Sequence, residues 1–529
     1  MRNLTAVSRV VAVAVLAAML AVPSWAEESE KACKKGELAP AQIDAKLKKI
    51  EHIVVIYGEN RSFDNLYGSF PGAEGLKDAS DESKTQLDFD GTPLARLPKV
   101  WTPKDSKFKS DPHFDKDIRN GPFEIDGEPA HQPLTVQIPE DPVHRYYQNI
   151  AQINGGRNNM FAAYTDVGAL TMGHYDGSKL PMWPIAREFV LADHFFMGTF
   201  GGSYMNHIWL ACACVAEFPN APPELRSVLD DDQVHLKRKS NESRTYVSAL
   251  DGPPSWVQDG ALTPDGFAIN TISSSYEPSG APPAPDSDPR FADPSRNPLP
   301  PILDLTLGDR LSDAHIDWAW YSGGWNKALV DSAMIPPAAG GARGIIYTFK
   351  PHTVDFQPHH QPYNYFLRFQ PGSEMRRAHL LDGEQFLDDI AKNKLPRVAF
   401  YKPQGDLNEH SGYTDVASGD AHIAEVVKAI QQSPDWKSTF IIVTYDENGG
   451  YWDHVAPPTG NGKSDRWGPG TRIPTILISP FVQKGCVDKT EYDTTSIHRF
   501  INRRFGLEPL PGLSHRKDLG DLTGSFAPD

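Results

Sequence analysis

Two short β-branched runs, almost four hundred residues apart, each break off into acidic residues, and no other feature of the chain constrains its fold as much. The run His52 to Tyr57 (HIVVIY) leads into Gly58-Glu59-Asn60. The run Thr439 to Thr444 (TFIIVT) leads into Tyr445-Asp446-Glu447-Asn448-Gly449-Gly450, where the paired glycines force a turn. Both read as buried strands. Further strand candidates lie at Phe189 to Leu191, Ile316 to Tyr321, Arg397 to Tyr401 and Pro474 to Ile478. Apolar spacing at Ile423, Val426, Val427 and Ile430 predicts a helix between two of them, with Ser418 or Asp420 as its cap. This alternation predicts an α/β sheet covered by helices on both faces. Ligands of such sheets sit beyond the carboxyl ends of the strands, where Glu59, Asn60, Asp446 and Glu447 would emerge.

These four residues supply oxygen donors, three of them carboxylates, of the kind that hold a hard divalent cation. Either pair alone would read as solvated loop residues; the two together raise the prospect of a site. The segment Gly198 to His207 (GTFGGSYMNH) is a glycine-rich turn followed by an apolar run from Ile208 through Ala216. It places Ser203 at or near a helix N-terminus, where backbone N–H groups and the helix dipole favour an anion. A serine there, taken alone, is more often a simple cap. His144, His359, His360, His410 and His454 stand in polar or Gly/Pro-flanked segments and suit charge stabilisation and leaving-group protonation. His52, His113, His131, His174 and His515 are left unassigned.

At the N-terminus, Arg2 and Arg9 precede an apolar run from Val10 to Val22, then Pro23-Ser24-Trp25-Ala26. This reads as a secretory signal peptide of residues 1–26, cleaved after Ala26. The run is shorter than the about 20 residues that span a bilayer, so a secreted or periplasmic protein without an integral membrane segment is expected. Losing Arg2 and Arg9 takes the formal charge from −16 to −18, which argues against nucleic acid as a binding partner. Cys33, Cys212, Cys214 and Cys486 allow three disulfide connectivities. Cys212 and Cys214 are expected on opposite sides of one helix, which argues against a bridge between them. A Pro-rich stretch at about 219–301 reads as an irregular insertion, and a second loop-rich stretch, Lys77 to Gln137, could help to wall the site.

The segment Glu59-Asn60-Arg61-Ser62-Phe63-Asp64, with Gly68 after it, resembles the opening motif of the phosphoesterase family that contains bacterial phospholipases C and secreted acid phosphatases. Asp446 to Val455 (DENGGYWDHV) resembles its C-terminal motif. His144 followed by Asn154-Gly155-Gly156, Gly308 to Leu311 with Trp318, Trp320 and Tyr321, His359-His360-Gln361-Pro362, and Glu409-His410 match in order. The resemblance implies an alkaline-phosphatase-like α/β fold in one catalytic domain, residues 27–529. It implies a divalent metal ion (calcium, magnesium, manganese or iron) held by Glu59, Asn60, Asp446, Glu447 and the nucleophile, Ser203. The phosphate-contacting positions carry over to Asn206, His144, His410 and one of His359 or His360. Where the phospholipase C branch resembles Thr-x-Pro-Asn-Arg, this chain has Ser203-Tyr204-Met205-Asn206-His207. That departure points to the acid phosphatase branch: monoester hydrolysis through a phosphoserine, on small phosphorylated substrates. The alternative is a phospholipase C-type diesterase acting on phospholipid, with Phe195, Phe196, Met197, Phe200 and Tyr204 lining an apolar approach. A different class of answer is a secreted binding protein with a degenerate site.

Overall fold

The computed structural model describes residues 31–528 except 35–37, 103–108, 115, 240–246, 272 and 335–355. The signal peptide expected at residues 1–26 lies outside the described residues. Nine strands form the main sheet: β1 (Lys31–Ala32), β2 (His52–Gly58), β3 (Val190–Ala192), β4 (Trp318–Ser322), β5 (Leu380–Asp382), β6 (Val398–Lys402), β7 (Thr439–Tyr445), β8 (Thr475–Ile478) and β9 (Cys486–Asp488). Their order across the sheet is β1-β9-β3-β8-β7-β2-β6-β4-β5, and only β8 runs antiparallel to its neighbours. The four strands anticipated at Phe189, Ile316, Arg397 and Pro474 are present, each beginning one or two residues later.

Every residue of β4, β6 and β7, and all of β2 but His52, is buried. Continuous burial of this kind means that both faces are covered, which is why these strands are continuously apolar and do not alternate. The covering helices fall into two groups. Helices α1 (Pro40–Lys49), α3 (Ser203–Cys212) and α6 (Thr494–Phe505) pack in series, as do α2 (Met182–Glu188), α5 (Val416–Gln432) and α4 (Gly383–Ala391). Helix α5 begins before the expected caps. Asp415 is extended and accepts the Ser418 N–H at 2.8 Å, so Ser418 is already helical and Asp420 is buried inside the helix, accepting the Met182 N–H at 2.8 Å.

The cysteines pair as Cys33–Cys486 and Cys212–Cys214. The first joins β1 to β9 at the sheet edge. The second corrects the expectation that Cys212 and Cys214 would face apart: α3 stops at Cys212, and Ala213 turns left-handed (φ 49°), which brings the next residue back on itself. The apolar run to Ala216 is therefore not one helix. Within 219–301, the described helical elements are two 3₁₀ turns, Pro223–Leu225 and Pro294–Arg296. No helix among the described residues is long and apolar enough to cross a membrane.

Candidate active site

Strands β2 and β7 are parallel neighbours in a register that pairs Gly58 with Tyr445. Glu59 and Asp446 therefore leave the sheet side by side. The two strand ends are tied together by one carboxylate: Asp446 Oδ1 accepts the N–H of Asn60 at 3.1 Å and of Glu447 at 2.8 Å. Asn60 holds a left-handed backbone (φ 64°), and the turn beyond β7 crosses it so closely that a Cβ on Gly449 would lie 2.2 Å from the Asn60 carbonyl oxygen. Glycine is required there by contact as well as by its φ of 60°.

Ser203 is the first residue of α3, and Gly202, not Ser203, is the N-cap. Its hydroxyl has one proton and two acceptors, Glu447 Oε1 at 3.2 Å and Asn60 Oδ1 at 3.3 Å. The glycine turn lets a third segment close in, because side chains at Gly201 and Gly202 would collide with the backbone of Tyr146 and His144. His144 Nδ1 donates to the Pro142 carbonyl at 2.6 Å, which leaves Nε2 facing Asn60 Nδ2 at 3.2 Å and Glu447 Oε1 at 3.5 Å. His410 lies beside it, ring centroids 5.9 Å apart, stacked on Tyr413 and donating from Nδ1 to the Ser411 carbonyl.

The structure thus brings Glu59, Asn60, Ser203, Asp446, Glu447, His144 and His410 to one place. The other expected residues lie differently. Asn206 is spent on the glycine turn: its amide donates to the carbonyls of Thr199, Gly201 and Gly202 and accepts the Thr199 N–H. His360 meets Glu59, with Nε2 2.6 Å from Oε1, and His359 packs against His360 and His207. His454 bonds Asp64 at 2.6 Å in a separate buried cluster with Asp453 and Arg472 that locks the two motif loops together. Of the five residues expected to line an apolar approach, Phe195, Phe196, Met197 and Tyr204 are buried, at most 5% exposed, and belong to the core, whereas Phe200 is half-buried.

Sequence reasoning missed several neighbours. Glu59 also meets Lys402 Nζ at 3.1 Å and accepts from Asn408 at 2.9 Å and Tyr413 at 2.7 Å. His207 donates from Nδ1 to the Ser203 carbonyl at 2.7 Å, one helical turn back, and that nitrogen lies 3.6 Å from Asp446 Oδ2. The i, i+4 spacing from Ser203 was a signal for His207. Lys402 carried none beyond closing a strand.

Burial and charge divide these groups. Burial alone would lower His144, but Glu447 and Asp141 outweigh it and hold the imidazole up at about 9. Burial pushes Asp446 up to about 6, against Lys402, and lifts Glu447 well above the carboxylate range, against His144. Glu59 goes the other way: burial would raise it, yet His360 and Lys402 hold it well below. Burial pushes His207 and His359 well down, and lowers His360 and His410. The donor set fits a divalent cation. Asp446 Oδ2 is a buried acceptor to which no hydrogen bond is directed among the described residues, Glu59 Oε1 faces His360 Nε2 and Lys402 Nζ, and Glu59, Asp446 and His207 bring ligand atoms within 4.8 Å of one another.

An α/β sheet whose adjacent strand ends gather buried carboxylates around a serine at a helix start is the frame of a metal-dependent ester hydrolase. Residues 50–508 match the Phosphoesterase family, and the chain belongs to it. Phospholipase C B of Mycobacterium tuberculosis is 25% identical over 516 residues, covering 91% of this chain and 78% of that one. The non-hemolytic phospholipase C of Pseudomonas aeruginosa is 23% identical over 517 residues, covering 91% and 57%. Among solved structures, a protein in the alkaline phosphatase superfamily from Vibrio parahaemolyticus superposes with a TM-score of 0.29 at 10% identity, covering 76% of this chain and 75% of that one. The chain is a phosphoric-ester hydrolase of α/β fold.

Proposed function

We propose that the chain hydrolyses phosphate monoesters by two displacements at Ser203. The observation that carries this is the Ser203 hydroxyl itself, held within 3.3 Å of Asn60 Oδ1 and Glu447 Oε1 on the first turn of a helix and beside His144. A divalent cation held by Glu59, Asn60, Asp446 and Glu447 would lower the pKa of the serine hydroxyl. Ser203 Oγ gives up its proton to Glu447 Oε1 and attacks phosphorus, the bond to the leaving oxygen breaks, and the alcohol departs with a proton from the His410 side or from water. Water then cleaves the phosphoserine and releases phosphate. His144 and the N–H groups opening α3 hold non-bridging oxygens throughout. Asn206 and His360 also position the turn and Glu59.

The monoester preference rests on two observations. The nucleophile segment lacks the proline and arginine of Thr-x-Pro-Asn-Arg, and Phe195, Phe196 and Tyr204 are packed in the core, with Phe200 half-buried. A second reading, phosphodiester hydrolysis on phospholipid, is favoured by the relatives named phospholipase C. Secretion follows only if residues 1–26 act as the signal peptide that they resemble. The deciding experiment compares an aryl phosphate monoester with a phosphatidylcholine diester as substrates of one preparation. We expect the monoester to have the higher kcat/KM. A preference for the diester overturns the monoester reading and leaves Ser203 as nucleophile.

A further inference from the structure

The loop between β6 and α5 carries a side chain that the proposed reaction does not use. Tyr413 is buried, and its hydroxyl donates to Glu59 Oε2 at 2.7 Å. Asn408 Nδ2 donates to the same oxygen at 2.9 Å, so two donors from one loop converge on it. The Asn408 carbonyl also accepts the Glu59 N–H at 2.8 Å, and Gln357 Nε2 donates to the Tyr413 hydroxyl at 3.2 Å. The ring of Tyr413 has a partner of its own. The His410 imidazole lies against its face, with centroids 4.0 Å apart and planes at 23°. His410 Nδ1 donates to the Ser411 carbonyl, which leaves Nε2 for a ligand.

The loop is held in a shape that it would not adopt freely. Glu409, between Asn408 and His410, has a left-handed φ of 76°, a region that a glutamate enters at a cost. Arg61 donates to the Glu409 carbonyl from Nε at 3.0 Å and Nη2 at 2.6 Å, and Tyr445, the residue before Asp446, donates to Glu409 Oε1 at 2.8 Å. Gly412 reverses the chain again at φ 90°, and its N–H donates to the Ile138 carbonyl at 3.0 Å. Strain of this kind persists where the surroundings over-determine it, and here they are residues beside the two strand ends of the site. What it secures is one side chain that touches both Glu59 and His410. Ligand-binding carboxylates and imidazoles depend on such outer partners for their orientation, and losing one costs about 10–100-fold in affinity.

We propose that Tyr413 is a positioning residue with two separable duties: its hydroxyl, together with the Asn408 amide, fixes the Glu59 carboxylate for the divalent ion, and its ring fixes the His410 imidazole for the phosphoryl group. The inference rests on the readings of Glu59 as a metal ligand and His410 as a phosphate contact.

Two affinities, measured without turnover, separate the duties. The full-length chain and its variants are stripped with chelator and dialysed against manganese and, in a repeat, calcium. Inorganic phosphate is then titrated by calorimetry into each chain at saturating manganese. Tyr413→Phe keeps the ring and removes the hydroxyl, so manganese should bind about tenfold more weakly while phosphate affinity stays within about twofold of native. Tyr413→Leu removes both, and phosphate affinity should fall by about three- to tenfold as well. Tyr413→Met takes its place should the leucine variant fail to fold. Native manganese affinity in Tyr413→Phe overturns the proposal. So does an equal loss of phosphate affinity in the phenylalanine and leucine variants, because a general loosening of the loop would move both together. A native chain that binds neither ion sinks the metal reading, and one that holds an ion but no phosphate sinks the reading of His410; the proposal falls with either.

Discussion

Replacing Ser203 with alanine separates chemistry from folding, because the structure sets the two costs far apart. The hydroxyl donates to one of two acceptors, and the Glu447 bond is to a charged group, worth about 1.5–3 kcal/mol. Alanine at a helical position returns about 0.5 kcal/mol of propensity, and Gly202 remains the cap, so capping is untouched. The folded state should lose about 1–2.5 kcal/mol, a Tm shift of about 1–2 °C in a chain of this length. Turnover, by contrast, should fall by about 10⁴-fold or more, since deleting a nucleophile leaves only binding and electrostatic residues to act on water. The assay pairs aryl phosphate hydrolysis with thermal unfolding, and acid-quenched samples are searched by mass spectrometry for phosphoserine in the Ser203 peptide. A folded variant within about tenfold of native activity, or native enzyme that phosphorylates another residue, would refute the reasoning.

Two further predictions follow from charge. His144, held at about 9, should give an alkaline limb: its cation is present at neutral pH and lost as pH rises, and the limb moves lower once a cation shares the Glu447 charge. His144→Gln should cost about 10²-fold and remove that limb, and pH–rate profiles that coincide in shape would dismiss His144. Arg472 is buried, with Nε 3.0 and 3.1 Å from the Asp453 oxygens and Nη2 3.0 Å from Asp64. Arg472→Met strands two buried carboxylates with only His454, so chemical denaturation should show a loss of about 3–5 kcal/mol, and a loss under about 1 kcal/mol would refute the lock.

What the sequence made legible was what short-range pattern encodes. Two apolar runs ending in acids named β2, β7 and four site residues, because continuous burial leaves a continuous apolar signature. The glycines before Ser203 marked the turn that admits His144. What stayed hidden depends on registry between distant segments. Nothing local says that the last residue of β6 lies under Glu59, so Lys402 was invisible. Asn206 was expected as a phosphate contact, and nothing local said that its amide would also meet three carbonyls of the glycine turn. The Cys212–Cys214 bridge turned on a single residue, Ala213, leaving the right-handed helix, which propensity does not predict for alanine.

The register of β2 against β7 also governs the order of events in folding. The Asn60 to Asp446 bond spans 386 residues of chain, and β6, the other neighbour of β2, begins only at Val398. A chain growing from its N-terminus therefore makes β2 early and leaves both its edges unpaired until more than three-quarters of the sequence exists. Contacts of such separation fold slowly, and an apolar strand with open edges invites pairing with other chains in the interval. Any product cut short before Thr439 lacks β7, two of the five expected metal ligands and a partner that satisfies β2. Truncation should thus give aggregates and no partially active fragment, because the site and the centre of the sheet are completed by the same late segment.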